Sequence, residues 1–199
     1  MSRVQNAILD KGFITTRIVA APQDLKTGIL KLKVIPGVAS DMTLSEDSGK
    51  YIYLYPMVPV RKMKLLNVRD LEQGLENLRR IPTVQTDFKL IPGEKEGESK
   101  VEILRKQGRP VRVMLSADDS GSKFTGKNQG TATLFLDNML GLSDMFYASV
   151  STNLEHRHKP YGSDNYSIYY SVPWTYWQLN FYHNNYEYHQ RVAGYATDY

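Results

Sequence analysis

The sequence predicts a chain of two textures: α+β modules in tandem, followed by a run of antiparallel strands of barrel or sandwich type. Three observations carry this. A helix, a strand, a polar turn and a second strand occur twice in the first 104 residues. After Pro110 the apolar pattern switches to period two. The aromatic residues move with it: 17 of the 22 Phe, Trp and Tyr residues lie beyond Pro110, near the ends of the alternating segments.

In the first copy, Val4 to Gly12 reads as a helix. It is followed by a strand from Ile14 to Val19, a turn from Pro22 to Gly28 and a strand from Ile29 to Val34. The second copy is more complete. Gly37 to Leu44 reads as a strand, and Tyr51 to Val60 is kept irregular by Pro56 and Pro59. Asn67 can cap a helix running to Arg80, with Asp70 three residues on and Leu71, Leu75 and Leu78 on one face. Strands at Val84 to Leu90 and Lys100 to Leu104 flank the turn Pro92 to Glu98. The full module thus reads strand-helix-helix-strand-strand, and the first copy shows only its last three elements.

Five alternating strands follow, centred on Val111 to Ala117, Thr131 to Leu136, Phe146 to Ser151, Ser167 to Val172 and Trp177 to Tyr182. Their connections alternate in length, long at Asp118 to Gln129 and Asn153 to Asn165, short at Met139 to Asp144 and Pro173-Trp174. Outer-membrane barrels show this asymmetry together with interfacial aromatics such as Tyr166, Tyr170, Trp174 and Trp177. A soluble β-sandwich with an aromatic core fits the same alternation. In a barrel, Leu134, Ala148 and Leu179 would face lipid, and Arg112, Gln178 and Asn180 would face the lumen.

The bulk numbers narrow the chemistry. With 41% apolar and 23% charged residues the chain is a folding sequence, and no apolar run is long enough for a transmembrane helix. Zero cysteines exclude thiol catalysis, disulfides and thiolate-bound metal. The opening Met1-Ser2-Arg3-Val4-Gln5 lacks a secretory leader and runs straight into a helix, which reads as a fragment. Residues 1–109 hold 19 Lys and Arg against 13 Asp and Glu, and the remainder 6 against 8. The basic residues, among them Lys31, Lys33, Arg79, Arg80, Lys100, Arg105 and Lys106, are interleaved with acids, so we read them as solvated faces and expect no nucleic-acid partner.

No catalytic constellation stands out, and neither an enzyme nor a cofactor is expected. His156 and His158 flank Arg157 in a loop, while His183 and His189 lie in or beyond the last strand. Asp118-Asp119 and Asp137-Asn138 sit at strand-to-turn junctions, where Asp and Asn serve turn geometry. Gly126-Lys127 lacks the rest of a phosphate loop. Binding is easier to motivate, because an extended polypeptide can add a strand to an exposed sheet edge. The candidate edges are Thr15 to Val19 and Val84 to Leu90, with Thr15, Thr16, Arg17, Gln85, Asp87 and Lys89 as contact residues and Arg17 and Lys89 placed for acidic groups.

These motifs resemble the outer-membrane transporters of two-partner secretion, the haemolysin-activator type. Phe13-Ile14-Thr15-Thr16-Arg17, Pro22 to Gly28 and Leu30-Lys31-Leu32 look like the end of that family's first polypeptide-transport-associated (POTRA) domain. Leu66 to Leu75, Ile91-Pro92-Gly93 and Gly97-Glu98-Ser99 look like its second. Asp118 to Gly121, Thr125-Gly126, Asp137-Asn138 and Leu140 to Asp144 are similar to the opening of its barrel.

The resemblance implies a partial first POTRA domain over residues 1–36, a second over 37–108 and the first barrel strands over 109–199. It further implies a periplasmic POTRA pair, a barrel in outer-membrane lipid, and an exported partner polypeptide with an N-terminal secretion domain, such as a haemolysin, adhesin or contact-dependent toxin. A family member would also carry a signal peptide, a plug helix and a complete barrel. Val192-Ala193-Gly194-Tyr195 only superficially matches the family's Val-Arg-Gly-Tyr loop, since Ala193 stands at the Arg position. The rival readings are a barrel-assembly factor of the same superfamily and a soluble β-rich binding protein.

Overall fold

A computed structural model describes residues 2–23, 25–48, 51–155, 161–192 and 195–198. Two units are present, residues 1–108 together with 174–177, and residues 109–173 with 178–199.

The first unit opens with helix α1, Ser2–Asp10, ended by Gly12 at φ +90°, a conformation that glycine adopts without strain. A two-stranded antiparallel ribbon follows, β1 (Arg17–Val19) with β2 (Lys33–Ile35). Both strands are shorter than the sequence pattern suggests. Ile14 to Thr16 turn instead of extending, because the Thr16 hydroxyl accepts from Gly37 N at 3.0 Å and fixes the bend. Between the strands, Leu25–Thr27 forms one 3-10 turn.

A three-stranded sheet comes next in the order β3 (Val38–Leu44), β5 (Glu98–Gln107), β4 (Val84–Pro92). β3 runs parallel to β5 and β4 antiparallel to it. Helix α2, Val68–Arg79, covers one face. Its start is over-determined: Asn67 Oδ1 accepts from Arg69 N at 3.0 Å, Asn67 Nδ2 donates to Lys11 O at 3.2 Å, and Val68 N donates to Gly12 O at 2.8 Å. Asp70 accepts from the hydroxyl of Tyr176.

The core beneath α2 is built by Leu66, Leu71 and Leu78 from the helix side, Met57 and Val58, and Val101 and Ile103 from β5, each almost fully buried. Gly74 lies so close to Val58 that a Cβ there would stand 2.7 Å from Val58 Cγ1. The first helical position of the module is filled by a 3-10 turn, Glu46–Ser48, and by an irregular path through Pro56 and Pro59. Asn77, 8% exposed, donates from Nδ2 to Met57 O and to Thr175 O, both at 2.6 Å, and Thr175 N donates to Pro56 O. The turn 174–177 is thereby integral to this unit.

The second unit is an antiparallel meander of six strands, one more than the sequence pattern predicts. They are β6 (Val111–Asp118), β7 (Gln129–Asp137), β8 (Met145–Asn153), β9 (Gly162–Trp174), β10 (Trp177–Val192) and β11 (Tyr195–Asp198), each beside the next. The pattern ended the fifth strand at Tyr182, but β10 continues ten residues further and pairs with β11 through His189 to Val192. The register sets Val113, Leu134, Ala148 and Ile168 side by side in one row and Arg112, Phe135, Tyr147 and Tyr169 in the next, which points to the opposite face.

Candidate functional site

The register of β4 on β5 decides what the edge of the first unit's sheet can offer. Thr83 O accepts from Gly108 N and Gly93 N donates to Glu98 O, both at 2.8 Å, so the odd-numbered residues between them exchange backbone bonds with β5. The backbone groups of Thr86, Phe88 and Leu90 therefore point outward along the edge. Side chains divide the other way. Gln85, Asp87 and Lys89 are exposed on the face away from α2, while Val84 and Thr86 are buried beneath it. The sequence places Gln85, Asp87 and Lys89 on the edge strand as contact residues; the ladder assigns the outward backbone to their neighbours.

Two side chains already occupy part of that edge. Arg79 Nε donates to Thr86 O at 2.9 Å, and Phe88 N donates to Asp87 Oδ1 at 2.8 Å, with Arg79 Nη2 3.9 Å from the same Asp87 oxygen. Charged residues placed in this way shield an edge from indiscriminate pairing. Beyond these two contacts, Phe88 O and both backbone groups of Leu90 face out along the edge.

The other proposed edge, Thr15 to Val19, is not an edge of the expected kind. Thr15 and Thr16 lie in a turn, Thr16 is 6% exposed, and Gln5 of α1 spans the ribbon by donating to Thr16 O at 2.9 Å and accepting from Ile18 N at 3.0 Å. Thr15 and Arg17 do share a cavity of about 450 Å³, whose other wall is Leu90 to Ser99 of the β4–β5 hairpin. Gln85 and Asp87 line a second cavity of about 430 Å³ with Ser45, Asp47, Thr86, Leu104, Arg105 and Lys106. The structure thus divides the six predicted contact residues: two at each cavity, Thr16 in the fold, and Lys89 on the sheet face opposite Glu102.

Arg105 corrects the reading of the basic residues as solvated. β5 runs on to Gln107, three residues past the predicted end, so alternation carries Arg105 to the face of Val101 and Ile103, where it is 4% exposed. Burial lowers the pKa of its guanidinium. Its Nη2 donates to Gln107 Oε1 at 2.6 Å, while Nε is buried without a partner among the described residues.

In the second unit, Arg112 is paired. Its Nε and Nη2 donate to the two carboxylate oxygens of Asp137 at 3.0 and 3.1 Å, and its guanidinium lies 4.6 Å from the Phe135 ring centre. Asp137 is thus the buried partner of a strand arginine as well as a junction residue, whereas Asn138 does serve the turn, accepting from Ser143 N. Phe135, Tyr147 and Tyr169 continue the row with ring centres 5.8 and 5.0 Å apart, and the Tyr169 hydroxyl donates to Asn180 Oδ1 at 2.9 Å. Gln178 also donates to Asn180. Beside this row, Thr131 pairs with Ser151 and Thr133 with Ser149 through hydroxyl bonds. On the other face Val111, Val113, Leu115, Val150, Trp177, Leu179 and Phe181 are more than half exposed.

Among the described residues no cluster of metal-ligating side chains occurs. His156 and His158 lie outside the described residues, as do Ala193 and Gly194 of the Val192 to Tyr195 stretch. Asp118 accepts from Ser120, which is turn chemistry.

An apolar outward face, a hydroxyl-lined inner one and α+β modules ahead of them define a POTRA-bearing outer-membrane protein. A ShlB-type POTRA domain matches residues 1–37, a POTRA domain residues 40–92, and the haemolysin secretion/activation protein family ShlB/FhaC/HecB residues 97–199. The chain belongs to this last family of two-partner secretion transporters. It is 40% identical over 176 residues to the outer membrane transporter CdiB-2 of Burkholderia pseudomallei strain 1026b, covering 87% of this chain and 30% of that protein. It is 27% identical to the hemolysin transporter protein ShlB of Serratia marcescens, covering 92% and 32%. The solved structure of CdiB from Escherichia coli superposes with a TM-score of 0.88 at 27% identity, covering 98% of this chain and 37% of that one. The chain spans about a third of the length of the curated relatives it matches.

Proposed function

We propose that the chain is the capture-and-entry part of an outer-membrane two-partner secretion transporter. Residues 1–36 and 37–108 are its POTRA modules in the periplasm, and residues 109–199 its first barrel strands in outer-membrane lipid. The client is an exported polypeptide of the haemolysin, adhesin or contact-dependent toxin type, held extended through its N-terminal secretion domain. The observation that carries this reading is the outward-facing backbone of Thr86, Phe88 and Leu90, to which an extended chain of any sequence can add a strand. Passage through the barrel uses no nucleotide or metal. Arg112, Gln178 and Asn180 stand on the face opposite the apolar row, where polar groups give a weakly binding lumen wall.

A paired proline substitution tests the capture step. In Leu90→Pro the lost N–H faced outward, so the three-stranded sheet persists while client binding falls at least tenfold. In Lys89→Pro the lost N–H bonded β5, so the sheet itself is damaged. Circular dichroism and titration with the partner's secretion domain read the two effects. A folded Leu90→Pro protein that binds like the parent overturns the edge mechanism.

A further inference from the structure

Three tyrosines at alternate positions turn their rings outward. Tyr51, Tyr53 and Tyr55 are 60%, 62% and 65% exposed, whereas Ile52 is 8% exposed and Leu54 packs against the core, so all three rings share the outer side of the segment. Cations gather beside them. The Arg61 guanidinium lies 4.2 Å from the Tyr55 ring centre, Lys62 lines a cavity of about 280 Å³ with Tyr55, and Lys64 N donates to Arg61 O in the same turn. Among the described residues Lys62 pairs with Asp41 at 3.6 Å, and no carboxylate lies within ion-pair distance of Arg61 or Lys64.

The tyrosine segment runs directly into a contact with the turn that joins β9 to β10. Pro56, the residue after Tyr55, accepts from Thr175 N at 2.6 Å, which puts the Tyr55 backbone within about 8 Å of Thr175. Thr175 stands between Trp174, the last residue of β9, and Trp177, the first of β10, and both indoles are more than half exposed. The POTRA module of residues 40–92 is periplasmic, so a turn bonded to it marks the periplasmic end of the two strands. Indole rings at that end of a barrel strand sit at the level of the lipid headgroups.

We propose that Tyr51, Tyr53 and Tyr55, with Arg61 and Lys64, form a membrane-facing patch on which the module rests against the periplasmic leaflet, and that its ligand is anionic phospholipid headgroups. The proposal rests on the barrel-strand reading and adds a lipid contact outside the barrel. Continuity supports it, because the patch begins one residue from the contact with the tryptophan-flanked turn, and the headgroup layer is itself about 5–7 Å thick. Charge supports it as well: the turn of residues 61–64 carries three cations against the single carboxylate of Asp41, and anionic headgroups attract such a cluster. Tyrosine suits the site, since its ring enters the acyl boundary while its hydroxyl stays wet. A module held at the leaflet presents its β4 edge to the client in one orientation.

The test uses the full chain folded into vesicles of phosphatidylethanolamine and phosphatidylglycerol, with a small share of phospholipid carrying a nitroxide quencher on its headgroup. Trp174 and Trp177 are the chain's two tryptophans, so intrinsic fluorescence reports this turn alone. With no native cysteine, a fluorophore on Tyr53→Cys reports the patch, and one on Glu96→Cys at the acidic tip of the β4–β5 hairpin is the control; Tyr51→Cys repeats the measurement should Tyr53→Cys fail to fold. The expected result is that both tryptophans are quenched and that the Tyr53 label is quenched about threefold more than the Glu96 label. Replacing the anionic lipid by phosphatidylcholine, or combining Arg61→Gln with Lys64→Gln, is expected to remove at least half of that excess while tryptophan quenching persists. If the tryptophans are quenched and the Tyr53 label is quenched no more than the control, the patch fails and the barrel reading stands. If neither is quenched, the barrel reading fails with it. Quenching indifferent to lipid charge and to the double substitution overturns the headgroup recognition. A Tyr53 label that responds to the partner's secretion domain and not to lipid makes the tyrosines a client surface and overturns the proposal.

Discussion

Asp87 was singled out as a client contact, yet its geometry makes it a cover for the edge, and replacing it should tighten client binding. Asp87 Oδ1 accepts from Phe88 N at 2.8 Å on an exposed surface, and Arg79 lies 3.9 Å from the same oxygen. An incoming strand that bonds Phe88 N must first displace this carboxylate. An exposed charge-assisted bond of this kind is worth about 0.5–1 kcal/mol net, so Asp87→Ala should raise affinity roughly two- to fivefold. The assay is calorimetric or fluorescence titration with a capped, uncharged seven-residue peptide of alternating Thr and Val, chosen so that removing a negative charge from the surface does not by itself change the affinity. Asp87→Asn keeps an acceptor oxygen in place and should leave the affinity near the parent's. Weaker binding by Asp87→Ala would make Asp87 a direct contact and refute the cover. Equal effects of the Ala and Asn variants would show that charge, not the bond to Phe88, is responsible.

Other outcomes follow from the packing. Gly74→Ala brings a Cβ to 2.7 Å from Val58 Cγ1 and should cost about 1–3 kcal/mol, read as a lower denaturant midpoint with an unchanged slope. Arg112→Leu strips the fully buried Asp137 carboxylate of its two-pronged partner and should cost about 3–5 kcal/mol, read as earlier loss of the folded gel band of the detergent-solubilised chain on heating; Asp137→Asn in the same chain should recover part of it. The Tyr176 hydroxyl is pushed up to about 12, first by its bond to Asp70 and then by burial. A raised pKa means that the contact stabilises fully below the ordinary phenol range near 10 and fades as pH climbs from about 10 to about 12. Difference absorbance between the parent and Tyr176→Phe should show this late titration, and Asp70→Asn should bring it back toward 10.

Much of this fold was legible because local rules and tertiary packing agree in it. Asn67 caps α2, Leu71, Leu75 and Leu78 line its buried face, and period two set the strand faces from Val111 onward. Strand ends were less legible. Arg17 to Val19 is short because Thr16 bonds Gly37, a partner 21 residues away that no local pattern shows. β5 reached Gln107 through polar residues, and that extension turned Arg105 from a surface charge into a buried one. The site was half legible for a related reason. The candidate edge Val84 to Leu90 includes Gln85, Asp87 and Lys89, but a ladder's phase fixes which backbone groups face out, and that phase depends on pairings such as Thr83 with Gly108. Alternation carried past Leu104 was the one sequence signal that could have found Arg105.

The measurement that tests the central claim most directly is residue-resolved amide hydrogen exchange of the chain with and without the partner's secretion domain. Strand addition at β4 predicts an alternating signature: the Thr86, Phe88 and Leu90 amides gain protection together, while Gln85, Asp87 and Lys89, already bonded to β5, stay as they were. Uniform protection along β4, or protection confined to residues outside it, would contradict capture of an extended client on this edge.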